Sequence, residues 1–174
     1  MKTVRILDPL QLQLPMITEN FASYLEESRE APAQLRDLVK LVASADRFIF
    51  TTCEYHHCMP PALANLLDNM PFSALCNKPA GIIAYSTVSD GGQVAADQLR
   101  AMLCRLGCFV VPHIMVLYNV DKRLLPGGEP TGSTKDRSSL LNELDIVLEQ
   151  VEYLGNALRT YRVIATEPLP RCRA

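Results

Sequence analysis

A cluster of metal-ligating, nucleophilic and aromatic side chains lies between an apolar run at residues 48–50 and the proline pair at residues 60–61. Its members are Cys53, Glu54, Tyr55, His56, His57 and Cys58. The residue types suit zinc, but Cys-x-x-His-His-Cys lacks the wide separation of ligand pairs in structural zinc sites, and adjacent histidines diverge from a common point. No base can be named that would activate Cys53 as a nucleophile. We therefore expect neither a metal site nor a catalytic side chain here.

The position of this cluster in the chain favours ligand binding instead. Residues 47–52 have the pattern of a strand, and residues 61–70 have the pattern of a short helix, so the cluster follows the carboxyl end of a strand. In a parallel α/β sheet, ligands bind outside the carboxyl ends of the strands. The alternative is a strand-end turn that binds no ligand.

A second turn of the same kind follows the next apolar run. Residues 80–85 are almost continuously apolar, as in a strand buried on both faces of a parallel sheet, and the turn at residues 86–92 comes next. Gly91 and Gly92 have no Cβ, which allows another group to approach the backbone closely. An ordinary capped turn before a helix is the alternative interpretation.

The elements that must position these turns alternate along the chain. Strands are predicted at residues 4–7, 47–52, 80–85 and 109–117, with a bend at Pro112, and residues 10–15 could extend an edge strand. Residues 18–28 read as a loop with one or two helical turns, and residues 163–166 as a short β-prone run. Helices are predicted at residues 33–45, 61–70, 93–106 and 136–161. Alternating strands and helices predict an α/β layered fold.

Composition limits the classes of function. The 174 residues suit a single domain, residues 1–174, and a formal net charge of -2 gives no electrostatic basis for binding nucleic acid or an anionic membrane. The first residues do not resemble a secretory signal, and no apolar run reaches the length of a membrane span. The six cysteines have no paired spacing, which favours reduced thiols and a cytoplasmic protein.

Several motifs in a fixed order carry a resemblance to a known family. The segment at residues 52–68 resembles the second flavin loop of the NADPH-dependent FMN reductases, which are flavodoxin-like flavoproteins. It keeps Thr52, Glu54, Tyr55, Pro60, Leu63, Asn65 and Asp68, and it departs from the family pattern at Cys53, His56, Pro61 and Ala64. Lys78-Pro79, Gly91-Gly92 and Gln98-Leu99-Arg100 extend the resemblance over about residues 6–112.

The resemblance implies a fold, a cofactor and a reaction. The fold would be a flavodoxin-like three-layer sandwich with a mostly parallel sheet, and the long helix at 136–161 and a tail at 162–174 would complete the domain. The activity would be NAD(P)H-dependent reduction of FMN, quinone or azo acceptors, with NADPH or NADH as co-substrate. FMN would contact Thr52, Cys53, Glu54, Tyr55, His56, Ser86, Asp90, Gly91 and Gly92. The cofactor carries the hydride chemistry, so no catalytic side chain is implied.

The resemblance also implies a homodimer or homotetramer formed through helices. The helices at 61–70 and 136–161 are the candidate surfaces, and Tyr153 and Tyr161 suit an interface.

One expected part of the family pattern has no counterpart in this sequence. Family members begin with a strand and a Gly-Ser-x-Arg-x-x-Ser loop that binds the flavin phosphate. At the corresponding place, Asp8 would repel a phosphate and Pro9 has no amide hydrogen. We therefore expect the first strand and the phosphate loop to be missing. The vacant position in the sheet would be filled by residues 4–7, by residues 163–166 or by a second chain. The alternative function is a non-catalytic flavodoxin-like module that binds a partner.

Overall fold

The computed structural model describes residues 3–164. The helices are α1 (Pro9–Leu12), α2 (Phe21–Glu26), α3 (Ala33–Ser44), α4 (Pro61–Asp68), α5 (Phe72–Leu75), α6 (Gln93–Arg105), α7 (Val120–Arg123) and α8 (Thr134–Ile164). The strands are β1 (Phe48–Cys53), β2 (Pro79–Tyr85) and β3 (Phe109–Leu117). The long helices and these three strands fall where the sequence predicts them, within one to three residues at each end.

The strands form a parallel sheet in the order β1-β2-β3, with helices on both faces. Alternate β2 residues Ala80, Ile82 and Ala84 are fully buried and join the core formed by α3, α4 and α6. The other face packs against α8, whose Val147 and Val151 are buried. The α/β three-layer arrangement is thus confirmed.

Gly81 sets how closely α8 can approach the sheet. A Cβ at this position would lie 2.8 Å from Val147 Cγ1 and 2.9 Å from Val151 Cγ2, closer than real Cβ contacts. The missing side chain on the middle strand therefore lets the helix pack directly on the backbone.

The bend predicted at Pro112 is an irregularity in the pairing of β2 with β3. The register shifts between Ala80 and Ile82. The Arg100 side chain on α6 donates from Nη2 to the carbonyls of Val111 at 3.1 Å and Pro112 at 2.7 Å. One guanidinium group thus provides the donors that these two carbonyl oxygens would otherwise lack.

The predicted N-terminal strands are wrong. Residues 4–7 are not part of the sheet, and the alternating run at 10–15 begins as α1, with Asp8 Oδ1 accepting from Leu10 N at 2.9 Å and Pro9 at the first helical position. An Asp-Pro pair favours helix initiation over strand extension. Val4 and Ile6 are 83% and 89% exposed, so the apolar side chains that predicted a strand are not buried against the sheet.

The β-prone run predicted at residues 163–166 is also wrong where it can be compared. Residues 163 and 164 end α8, and residues 165–166 lie outside the described part. Within residues 3–164, β1 pairs on one edge only, with β2. Residues 4–7 and residues 163–164 do not pair with β1, and donation of a strand by a second chain stays a prediction.

The α8 layer does not extend over β1. Arg47, just before β1, donates to Glu152 O at 3.4 Å and to Asn156 Oδ1 at 3.3 Å. The flank of α8 that carries Glu152 and Asn156 therefore faces the β1 edge of the sheet. Helical periodicity places Leu141 and Leu148 on the same flank, and they are 47% and 40% exposed. Ile49 and Thr51 of β1 are also exposed on this side.

Candidate functional site

The turns at residues 53–59 and 86–92 adjoin at the carboxyl edge of the sheet. Cys53 at the end of β1 is the register partner of Tyr85 at the end of β2. Ser86 is fixed between β2 and β3, since its N–H donates to Leu117 O at 3.0 Å and its carbonyl accepts from Val120 N at 2.9 Å. The expected juxtaposition of the two turns is therefore present.

The first turn is a tight hairpin with two histidines at its tip. Tyr55 N donates to Cys58 O at 3.0 Å and Cys58 N donates to Tyr55 O at 2.9 Å. His56 and His57 both have positive φ, 52° and 56°, as in a type I′ turn. Side chains disfavour this region by about 1–2 kcal/mol per residue, so surrounding contacts must hold the turn in place.

Glu54 is one of these contacts. Its side chain is only 5% exposed, Oε2 accepts from Ala95 N at 3.0 Å and Oε1 lies 3.3 Å from His57 Nδ1. The residue preceding α6 is Gly92, which has no side chain to cap the helix. The Glu54 carboxylate supplies that cap from another segment, and its negative charge is favoured at the helix N-terminus.

Gln98 is a second contact, to which sequence analysis assigned no role in the site. Its Oε1 accepts from Met59 N at 3.0 Å, and its Nε2 donates to His57 O at 3.1 Å. The side chain thus ties the hairpin to α6. The Gln98-Leu99-Arg100 motif was the only signal for it, because a half-buried glutamine on a helix has no distinctive spacing.

Tyrosines surround Cys53 at the edge of the sheet. A hydrogen bond with the Cys53 thiol is the main cause that raises the pKa of Tyr55, whereas burial is the main cause that raises the pKa of Tyr85, with Cys53 contributing less. Tyr55 and Tyr85 are 61% and 38% exposed. Sequence analysis did not name Tyr85, which ends β2, as a site residue.

The second turn is fixed mainly by packing within the chain. Ser86, Gly91 and Gly92 are buried, and Ser86 Oγ accepts from Val88 N at 3.3 Å. A Cβ on Gly91 would lie 2.3 Å from Ser86 Oγ, and Gly92 has φ +104°, which favours glycine. The glycines therefore permit the shape of the turn itself.

The nine residues predicted to contact FMN separate into two groups. Tyr55, His56 and Asp90 are exposed, and Cys53 is half-buried. The other five residues are buried, or in the case of Glu54 have a buried side chain, and we call them the supporting group. They are Thr52, Glu54, Ser86, Gly91 and Gly92. Thr52, for example, donates from Oγ1 to Cys53 O at 3.0 Å.

The exposed group offers surfaces on which a flat ring could stack. Aromatic faces prefer to stack on flat rings, and Tyr55 and Tyr85 present such faces beside a polar thiol and an exposed histidine. Within residues 3–164, no group of three or more His, Cys, Asp or Glu side chains could hold a metal ion. In the same part of the chain, no helix is both long and apolar enough to cross a bilayer.

Known proteins with similar sequences include reductases that use NADPH or NADH. An NADPH azoreductase of Bacillus sp. (strain OY1-2) is 33% identical over 92 residues, which cover 53% of this chain and 52% of the azoreductase. An NAD(P)H-dependent FMN reductase of Saccharomyces cerevisiae is 26% identical over 127 residues, which cover 71% of this chain and 65% of the yeast protein. The chain thus spans only about half to two thirds of the length of these relatives.

Solved structures show the same fold. The flavoenzyme NAD(P)H:(acceptor) oxidoreductase FerB from Paracoccus denitrificans superimposes with a TM-score of 0.65 at 20% identity, covering 83% of this chain and 79% of FerB. Residues 2–121 match the sequence model of the NADPH-dependent FMN reductase family. This match spans more than half of the sequence and includes both turns, so the chain belongs to the NADPH-dependent FMN reductase family.

Proposed function

We propose that this chain binds FMN by its isoalloxazine ring at the two turns and takes part in NAD(P)H-dependent reduction of a small acceptor, such as FMN, a quinone or an azo compound. The observation that carries the proposal is the pair of adjoining, internally braced turns with Tyr55 and Tyr85 exposed beside Cys53. The names of the azoreductase and the yeast reductase support the reaction class and NADPH or NADH as the electron donor.

Each group of site residues has a distinct task in this proposal. The two turns would hold FMN, and the hydride and electron transfer would be chemistry supplied by the cofactor. Tyr55 and Tyr85 offer stacking faces, while Cys53, His56 and Asp90 offer polar contacts at the ring's edge. The supporting residues Thr52, Glu54, Ser86, Gly91 and Gly92 keep the two turns in register.

Fluorescence titration of FMN tests the proposal directly. We expect quenching of flavin fluorescence by the protein, together with oxidation of NADPH or NADH when FMN and a quinone are supplied. Tyr85→Ala should weaken FMN binding by up to roughly tenfold, as expected for loss of about 0.5–1.5 kcal/mol of ring stacking, and Tyr85→Phe should retain it. Phe109→Ala is the matched control, because this aromatic side chain is 40% exposed at the amino end of β3, at the opposite edge of the sheet from the two turns.

The opposite result would favour the other function. Fluorescence that stays unquenched, with no oxidation of NADPH or NADH, would refute the flavin site. The unpaired edge of β1 would then support the non-catalytic alternative, because an open strand edge can pair with an extended segment of another chain.

We also propose that the chain assembles as a homodimer or homotetramer. The exposed Leu141 and Leu148 on the flank of α8, next to the open edge of β1, support a further contact there. Light scattering after size-exclusion chromatography tests this: Leu148→Lys should lower the molecular mass, whereas Leu25→Lys, on the distant α2, should not. A wild-type monomer would refute it.

A cytoplasmic location is the remaining part of the proposal. Cys53, Cys58 and Cys104 are free thiols, which suits a reducing compartment. Fractionation of expressing cells is the test, and recovery outside the cytoplasm would refute it.

A further inference from the structure

We infer that Glu54 and Gln98 are positioning residues that join the two turns into one rigid unit, so that the ring site is formed before a ligand binds. The inference rests on the proposed FMN site and names the residues on which its geometry depends. Neither side chain would need to touch the flavin.

The contacts converge on one face of α6. Glu54 binds the N–H of Ala95, and Gln98 lies three residues further along the helix, so both contacts fall on adjacent turns of the same face. Because α6 begins directly after Gly92, the helix that receives the hairpin also carries the end of the second turn. A displacement of the hairpin from α6 would therefore change its distance from the second turn.

The strained hairpin explains why such contacts are required. His57 is held at two points, since its carbonyl accepts from Gln98 Nε2 at 3.1 Å and its Nδ1 lies 3.3 Å from Glu54 Oε1. Met59 N, on the far side of the turn, donates to Gln98 Oε1 at 3.0 Å. Two left-handed residues would relax to other conformations without these bonds. Gln98 thus spans the hairpin as both donor and acceptor.

The position of the Tyr55 ring depends on the same hairpin. Tyr55 is the first residue of the hairpin, and Cys53, two residues earlier on the same segment, is the register partner of Tyr85. Release of the hairpin would let the Tyr55 ring move relative to Tyr85. A ligand would then have to order both rings on binding, which lowers affinity without removing any direct contact.

Gln98→Met tests the inference, because methionine has a similar length but neither donor nor acceptor. Gln93→Met is the control, since Gln93 is exposed at the start of the same helix and its amide donates to the exposed Asp97 side chain at 3.0 Å. Amide hydrogen exchange of Met59, measured without FMN, should accelerate at least roughly tenfold in Gln98→Met, and the FMN Kd should rise about tenfold. Gln93→Met should change neither.

Glu54 variants separate positioning from general stability. Glu54→Gln keeps an oxygen that can accept from Ala95 N, whereas Glu54→Ala does not, so FMN affinity and protection of the Ala95 amide should be largely retained in the first and lost in the second. Measurements well below the unfolding temperature exclude a mere loss of folded protein.

Unchanged exchange at Met59 in Gln98→Met, or faster exchange with an unchanged FMN Kd, would overturn the inference. If the wild-type protein binds no FMN, the proposed function fails, and exchange at Met59 and Ala95 alone then decides whether Glu54 and Gln98 join the turns.

Discussion

Gly91 offers a sharp test of the second turn, because its replacement by alanine changes one atom at a position without positive φ. The added Cβ would lie 2.3 Å from Ser86 Oγ, 2.6 Å from Ser86 Cβ and 2.7 Å from Val88 Cγ2. The nearest of these is about 1.1 Å shorter than the start of ordinary van der Waals contact at 3.4 Å. A neighbour must therefore move.

The two neighbours differ in how freely they can do so. Ser86 is fixed through both its N–H and its carbonyl to the segment after β3, whereas Val88 is 54% exposed and can swing outward. We expect the Ser86 hydroxyl to rotate away and to lose its bond with Val88 N, and we expect the 2.6 Å contact with the fixed Ser86 Cβ to displace the turn. Overpacking of this kind typically costs about 1–3 kcal/mol, to which the lost hydrogen bond adds about 1 kcal/mol.

Chemical denaturation and FMN titration measure the two consequences of Gly91→Ala. The free energy of unfolding should fall by about 2–4 kcal/mol, and the FMN Kd should rise by at least tenfold because the turn is displaced. Gly127→Ala is the control: its Cβ would meet only the exposed carboxyl group of Glu129, which can rotate away. A change in stability no larger than that of the control would refute the packing argument, and unchanged FMN affinity would refute the role of this turn.

Three further substitutions test other parts of the structure. Lys78→Met should lower the free energy of unfolding by about 2–4 kcal/mol, since the buried ammonium group donates to three backbone carbonyls. Cys53→Ala should return the pKa of Tyr55 towards 10.0 while that of Tyr85 stays raised, because burial is the larger cause for Tyr85. Arg100→Met should lower the free energy of unfolding by about 1–3 kcal/mol, because two carbonyls at the bend in β3 lose their donor.

A separate measurement tests each of these three substitutions, and each has an outcome that would contradict the argument. Urea unfolding of Lys40→Met, whose side chain is 76% exposed, is the control for Lys78→Met, and equal effects would contradict the buried role. Phenolate absorbance against pH follows the ionisation of the two tyrosines. Because their pKa values are raised in the folded state, folding favours the protonated phenols. This stabilisation is fully present below pH 10.0 and is lost as the pH rises through the raised pKa values. If both pKa values fall equally in Cys53→Ala, burial is not the main cause at Tyr85. Urea unfolding also tests Arg100→Met, and an unchanged midpoint would contradict the assigned bonds.

The layered fold could be predicted because the helices and strands carry the hydrophobic periodicity of their own type. The stripe of Leu35, Leu38, Val39 and Val42 marks the buried face of α3, and the apolar run of β2 marks a central strand. Both follow from periodicity alone. The motifs at residues 52–68 and 86–92 also located the two turns correctly at adjoining strand ends.

The errors and omissions come from contacts that connect distant parts of the sequence. Alternation at residues 10–15 predicted a strand, but a strand needs a neighbour, and the Asp8 cap with Pro9 stabilises a helical turn instead. The tertiary role of Glu54 was hidden for the same reason, because its partner is a backbone N–H some forty residues later. Resemblance identified this glutamate as part of a site without showing that its carboxylate is already engaged.

The open edge of the sheet and the candidate site belong to the same side of the molecule. By strand alternation, Cys53 and Tyr85 point to the same face as Ile49 and Gly81, which is the face covered by α8 over β2 and left uncovered over β1. The hairpin, in contrast, is held from the opposite face by α6. The turns can therefore stay rigid while the surface beside them is open. A chain that covers Ile49 and the exposed flank of α8 would also lie next to Tyr55 and Tyr85. Assembly and ring binding are thus expected to depend on one another through this shared face, even though the contacts that brace the turns are made elsewhere.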